Sequence, residues 1–186
     1  MGKLYSDITP DLAAWVARQP MFFVATAPLG AGGHVNCSPK GLDSLRLLDA
    51  HTVAYVDLTG SGAETVAHLR ENGRIVLMFC AFEGAPKIVR FHGRGEVVVP
   101  ASPRWAELAP KLPMRPGARS IIVVHVSRIS DSCGYAVPEM QLVAQRDVLV
   151  RWVERKGVEN LPAYRREKNA ASIDGLPTAE FDEGDG

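Results

Sequence analysis

Two short segments carry the residues best suited to chemistry. The first is His34-Val-Asn-Cys-Ser-Pro-Lys-Gly41, which sets Ser38 and Lys40 at the end of a strand-like run. The second is Thr59-Gly-Ser-Gly62 with Ala63-Glu-Thr65, a glycine-punctuated turn that opens a helix. A helix start presents backbone N–H groups and the positive end of its dipole, so phosphates bind there readily. Gly60 and Gly62 allow close backbone approach, and the hydroxyls of Thr59, Ser61 and Thr65 add donors. The Lys40 ammonium is a compact charge suited to a doubly charged ester. The plainer reading is a strand-to-helix turn with an ordinary capping box, Ser61 to Glu64, beside a solvated loop lysine. In that reading the Glu64 carboxylate competes for the same N–H donors and repels an anion. Both readings stay open from these residues alone.

Further candidates lie downstream. Arg90, His92 and Arg94 alternate along one strand, so their side chains share a face while Phe91 points inward. That face is either a plain polar exterior or a surface turned toward a ligand. Cys133 and Tyr135, in Ser132-Cys-Gly-Tyr-Ala-Val-Pro138, suit contact with a flat ring, one as a soft neighbour and one as a hydrogen-bonding aromatic. The basic run from Arg165 to Asn169 either complements the end of a helix in structural docking or brings Arg166, Lys168 or Asn169 to an anion. The five histidines show no HExxH or HxH spacing, and His68 reads as a surface residue. Three cysteines without a CxxC pair support neither a zinc knuckle nor a dithiol; Cys37 and Cys80 read as inert core residues. No triad or carboxylate pair points to hydrolysis.

The elements that position these groups follow from pattern. A helix is expected over Asp11–Arg18, with Leu12, Trp15 and Val16 on one face and Pro20 as its stop. Strands are expected over Met21–Ala27, His34–Ser38, Thr52–Leu58, Arg74–Phe82, Lys87–Val99 and Ser120–Ser130. The unbroken apolar run after Arg74 predicts a strand covered on both faces. Gly93 and Gly95 predict a bulge or bend, and Asn72-Gly73 a left-handed helix stop. Short helical segments follow at Trp105–Leu112, Asp147–Lys156 and Val158–Lys168, the last two split at Gly157; the acidic end Asp182–Gly186 reads as frayed. Six strands with tight connections make the chain mainly β, an antiparallel barrel rather than a βαβ sheet. Residues 1–140 form the barrel domain and 141–186 a C-terminal helical extension and tail.

With 186 residues, 21 basic and 21 acidic, the chain has no net charge to attract nucleic acid or an anionic membrane. The polar N-terminus lacks a secretory signal, and cysteine usage fits a reducing cytoplasm.

The order FFVATA, HVNCSPKG, TVAYVDLTGSGAETVAHLRENGRIVLMF and KIVRFHGRGEVV resembles the pyridoxamine 5′-phosphate oxidase-like superfamily of FMN-binding split barrels, over roughly residues 22–129. The resemblance implies a six-stranded split barrel, a homodimer with flavin at the interface, and an FMN-dependent oxidoreductase acting on a small molecule. It assigns the FMN phosphate to Lys40 and to Thr59, Gly60, Ser61 and Thr65. With a flavin as the ligand, the functional reading of Ser38, Arg90, His92, Cys133 and Tyr135 turns them toward it. The chain departs from the oxidases where they carry an arginine before the lysine (here His34-Val35-Asn36) and a Ser-Arg-Lys turn (here Gly62-Ala63-Glu64). A non-catalytic flavin-, deazaflavin- or haem-binding protein is the alternative.

Overall fold

Alternation of buried and open side chains marks the strands Phe22–Thr26, Asn36–Lys40, Arg74–Cys80 and much of Ile88–Val98 in a single antiparallel sheet. The fold comes from a computed structural model that describes residues 2–178. Its strands are β1 (Leu4–Tyr5), β2 (Phe22–Thr26), β3 (Asn36–Lys40), β4 (Leu45–Leu47), β5 (Thr52–Leu58), β6 (Arg74–Cys80), β7 (Ile88–Val98) and β8 (Ala118–Ser132). They run in the order β3-β2-β6-β7-β8-β5-β4, with β1 added to β8. The six expected strands are present, and the sheet has eight because β1 and β4 join it. With two and three residues, those two are too short to show a period of two in sequence.

The main core lies on one face of the sheet. Phe22 meets Tyr55 edge-on at 5.4 Å between ring centres, and Phe79 meets Phe91 at 5.2 Å. Phe91 points inward as expected, fully buried. A second core forms where Ala54, Val56, Ile121 and Val123 face outward under Leu108 and Leu112. Leu108 ends helix α3 (Pro103–Leu108), and Leu112 follows the 3₁₀ turn Ala109–Lys111. Hence β5 and β8 are the strands covered on both faces. The expectation for the run after Arg74 is corrected: in β6 Ile75, Leu77 and Phe79 are buried while Val76 and Met78 stay half-open. Composition alone could not tell a doubly covered strand from a singly covered one with apolar outer residues.

Helix α1 (Pro10–Ala17) is capped by Thr9, whose hydroxyl accepts from the Leu12 N–H at 3.3 Å. Helix α2 (Glu64–Asn72) ends on Gly73 at φ 70°, the expected left-handed stop. After Gly157 the chain turns from α4 (Val148–Lys156) into α5 (Leu161–Lys168). The Asp182–Gly186 segment lies outside the described residues. Among the described residues no helix is long and apolar enough to cross a membrane.

The bend in β7 needs glycine for a reason of space. The β7–β8 register shifts between His92 and Gly93, and a Cβ on Gly93 would stand 2.1 Å from the His125 carbonyl oxygen. Gly93→Ala must therefore displace backbone, with an expected loss of about 1–3 kcal/mol. Gly32, with nothing within 4 Å of a built Cβ, is the control. Urea unfolding of Gly93→Ala and Gly32→Ala should show a lowered midpoint for the first and little change for the second.

Candidate functional site

The lysine segment and the glycine turn meet in space. Asn36, Ser38 and Lys40 share one face of β3, turned toward α2. The Asn36 side-chain N–H donates to Thr65 at 3.1 Å and to Thr26 at 3.2 Å, and Ser38 donates to Asn36 at 2.8 Å. Thr26 also bonds His68 Nδ1 at 2.9 Å. His68, expected at the surface, is fully buried, and its Nε2 lies buried without a hydrogen-bond partner. Helix α2 buries five consecutive residues, Thr65 to Leu69, so its covered side is broader than an apolar stripe predicts.

Lys40 does not stand free in a loop. Its Nζ pairs with Asp57 Oδ1 at 3.1 Å, and its side chain is only 23% exposed. Asp57, at the end of β5, is completely buried; its other oxygen accepts from Arg119 Nε at 2.7 Å and from Ser120 Oγ at 3.2 Å. Burial alone would raise the Asp57 carboxyl, but Arg119 and Lys40 outweigh it and hold its pKa far below the usual range. Sequence reading missed Asp57 because one acid in an apolar strand carries no spacing signal.

The turn itself is clasped by the C-terminal extension. Arg165 Nε donates to the Thr59 hydroxyl at 2.9 Å, and that hydroxyl donates to the Gly117 carbonyl at 2.9 Å. Asn169, fully buried, donates to the Gly60 carbonyl at 3.0 Å and accepts from Arg119 at 2.8 Å. The Thr59 side chain is thus buried and bonded on both sides. The capping box is corrected as well: α2 begins after Ala63 with no side-chain cap. Glu64 instead accepts from the Ile173 N–H at 3.1 Å, so its carboxylate is engaged by the extension. Ser61 and Gly62 remain exposed. Beyond Ile173, Asp174 bonds both the His34 N–H at 2.7 Å and its ring at 2.6 Å. The basic run therefore docks through Arg165 and Asn169, the structural alternative.

The other candidates lie apart from this cluster. Arg90 is half-buried against Ser132 at 3.1 Å, while His92 and Arg94 are exposed on the outer face of β7. Cys133 and Tyr135 are exposed on the loop after β8. Cys80 is buried as expected, but Cys37 is exposed, because it occupies the outward side of β3 between Asn36 and Ser38. Among the described residues no group of three or more His, Cys, Asp or Glu side chains could hold a metal ion.

Comparison with known proteins places this arrangement. Residues 8–133 match the pyridoxamine 5′-phosphate oxidase family, and the chain belongs to that family. The protein ustO of Aspergillus flavus, a pyridoxamine 5′-phosphate oxidase family protein, is 38% identical over 95% of this chain and 78% of its own length. That alignment reaches well beyond residue 133, into the segment that clasps the turn. Among solved structures, HupZ of Group A Streptococcus superposes with a TM-score of 0.51 at 26% identity, covering 66% of this chain and 91% of that one. A candidate pyridoxamine 5′-phosphate oxidase from Lactobacillus delbrueckii gives a TM-score of 0.52 at 15% identity, covering 68% and 98%, and shares the fold. The mainly antiparallel sheet with short helices is the split barrel of these proteins.

Two outcomes test the geometry. Asp57→Asn leaves Lys40 and Arg119 facing a neutral amide in a buried site, and should destabilise the chain by about 3–5 kcal/mol in urea unfolding. The second concerns pH. The hydrogen bond to Asp174, then its charge, raises the pKa of His34. The stabilisation from the charged ring is therefore complete below the ordinary histidine value of about 6.5 and is lost as pH rises through the elevated one, while the backbone N–H bond stays. Hydrogen exchange of residues 170–178, corrected for intrinsic rate, should accelerate across that window; His34→Gln should abolish the step.

Proposed function

We propose that this chain is an FMN-binding oxidoreductase acting on a small molecule, working as a homodimer with flavin where two copies meet. The observation that carries the reading is the junction of β3 with the start of α2 through Asn36 and Thr65. It brings Lys40 to the same rim as an exposed turn. A Cβ built on Gly60 or Gly62 finds only a distant atom, near 4 Å, so the backbone there is open to close approach. The Glu64 carboxylate accepts from the Ile173 N–H, so it does not compete for the N–H donors of the turn. These donors fit a phosphate ester.

In this reading Lys40, Ser61 and the N–H groups of the turn bind the phosphate. Asn36 and Thr65 hold the two segments together with Ser38 orienting the Asn36 amide, and Thr59 and Gly60 act from behind by fixing the extension. Arg90, His92, Cys133 and Tyr135 lie on outward surfaces that a second copy can bring to the ring. Bound flavin would supply hydride transfer; the protein supplies orientation and electrostatics. A non-catalytic binding role has one observation in its favour: the Lys40 amine already has a carboxylate partner in Asp57.

Purified protein reconstituted with FMN should show the two visible flavin bands, bleached by a nicotinamide donor if it turns over. A stable spectrum without bleaching would favour the binding role, and a Soret band would indicate haem. Lys40→Ala and Ser61→Ala should each weaken FMN binding by about 1–3 kcal/mol, read by fluorescence quenching of the flavin. Unchanged affinity in both would remove the phosphate assignment.

A further inference from the structure

Beyond α5 the chain folds into a loop, residues 170–178, that is bonded to itself. The Ser172 N–H donates to the Leu176 carbonyl at 2.9 Å, the Gly175 N–H to the Ser172 carbonyl at 3.0 Å, and the Thr178 N–H to the Ala170 carbonyl at 3.1 Å. The Ser172 hydroxyl accepts from the N–H groups of Asp174 at 3.2 Å and Leu176 at 3.1 Å. Such a loop keeps its shape without help from the barrel, while Arg165 and Asn169 hold its root. Two contacts fasten its far side. The Ile173 N–H donates to both Glu64 oxygens, at 3.1 and 3.2 Å, and Asp174 bonds the N–H and ring of His34.

Glu64 has a second set of donors within reach. Ser61 stands three residues before it, the spacing at which a carboxylate accepts the backbone N–H of its own helix cap. One Glu64 oxygen already lies 3.9 Å from a Cβ built on Gly62. Yet α2 begins after Ala63 with no side-chain cap, and Ser61 and Gly62 are exposed. One carboxylate can thus serve either Ile173 or the turn. On the turn it would take N–H groups that a phosphate needs and set a negative charge against it. On Ile173 it leaves them open.

We propose that residues 170–178 are a strap that regulates the turn through Glu64. Docked, the strap holds Glu64 on Ile173 and the turn is open to an anion; released, it lets Glu64 fold back and close the turn from within. This rests on the reading of the turn as a phosphate site and adds its regulation. Strap docking and anion binding favour the same position of one carboxylate, so each strengthens the other. Asp174 is the latch, because it fixes the residue beside Ile173 to His34. Both Ile173 and Asp174 lie outside the family-matched 8–133. Direct charge effects carry the opposite sign: loss of the Asp174 carboxylate removes a negative group from this region and would tighten an anion.

The test is a double-mutant cycle in the full chain, with FMN affinity read by flavin fluorescence quenching. Asp174→Ala should weaken FMN about fivefold. Glu64→Ala should bind FMN at least as tightly as the unaltered chain, and adding Asp174→Ala to it should cause no further weakening. By reciprocity, saturating FMN should slow hydrogen exchange of residues 170–178 in the unaltered chain and leave it unchanged in Glu64→Ala. Equal urea midpoints would show that the variants keep their fold, and the exchange measurement on the unaltered chain needs no variant at the latch. Unchanged or tighter binding in Asp174→Ala would overturn the proposal, leaving only charge at a distance. Equal weakening by Asp174→Ala with and without Glu64 would overturn it too, as would weaker binding in Glu64→Ala. An unaltered chain that binds no FMN would remove the flavin reading. Inorganic phosphate then replaces FMN in the exchange experiment: slowing that requires Glu64 supports the strap, and its absence overturns it.

Discussion

At the end of β5 a carboxylate sits with no access to water, and its neighbours are what make that position tolerable. Asp57 is satisfied on both oxygens, by Lys40 from β3 and by Arg119 and Ser120 from the start of β8. An isolated buried charge would neutralise itself or unfold the chain; a fully bonded one fixes the geometry of whatever holds it. Three strands are thereby locked in one relation at the rim. Through Arg119 the same network reaches Asn169, so the C-terminal extension is registered against the carboxylate as well. The position of the Lys40 amine and the seating of α5 depend on that acid.

The sheet was largely legible in sequence, because β2, β5, β6, β7 and β8 are long enough for β-branched and apolar residues to declare themselves. So was the stop at Gly73, where a positive φ asks for glycine. The start of α2 was misread for a physical reason: Ser61 and Glu64 have the spacing of a capping box, yet the carboxylate finds a distant backbone N–H at Ile173. Local spacing records what is near in sequence, and Ile173 is not. The same limit hid Asp57, Arg119 and Arg165, whose partners lie 17 to 106 positions away. Lys40 was found from its place at a strand end, but its carboxylate partner was not. Burial of His68 was invisible because α2 is covered over more than its apolar stripe.

Membership of the pyridoxamine 5′-phosphate oxidase family accounts for the barrel and leaves the last quarter of the chain to be explained by its own contacts. Those contacts divide its labour. Arg165 and Asn169 brace the turn from behind, the Ile173 N–H holds the Glu64 carboxylate, and Gln145 bonds the Pro20 carbonyl before β2 and the Leu42 N–H after β3. An extension bonded at so many separated points behaves as an integral wall of the rim. Glu64, one of the departures from the oxidase pattern in the turn, takes its partner Ile173 from that extension.

The outermost strand on one side of the sheet, β3, contains Pro39 opposite Phe23. An imino acid has no amide hydrogen, so the ladder there cannot be continued outward by another chain in register. At the opposite border β4 offers only three residues. The sheet thus ends in a gap on one margin and a stub on the other, which discourages strand-by-strand growth into fibrils. Association between copies is steered toward side-chain surfaces, where recognition can be selective.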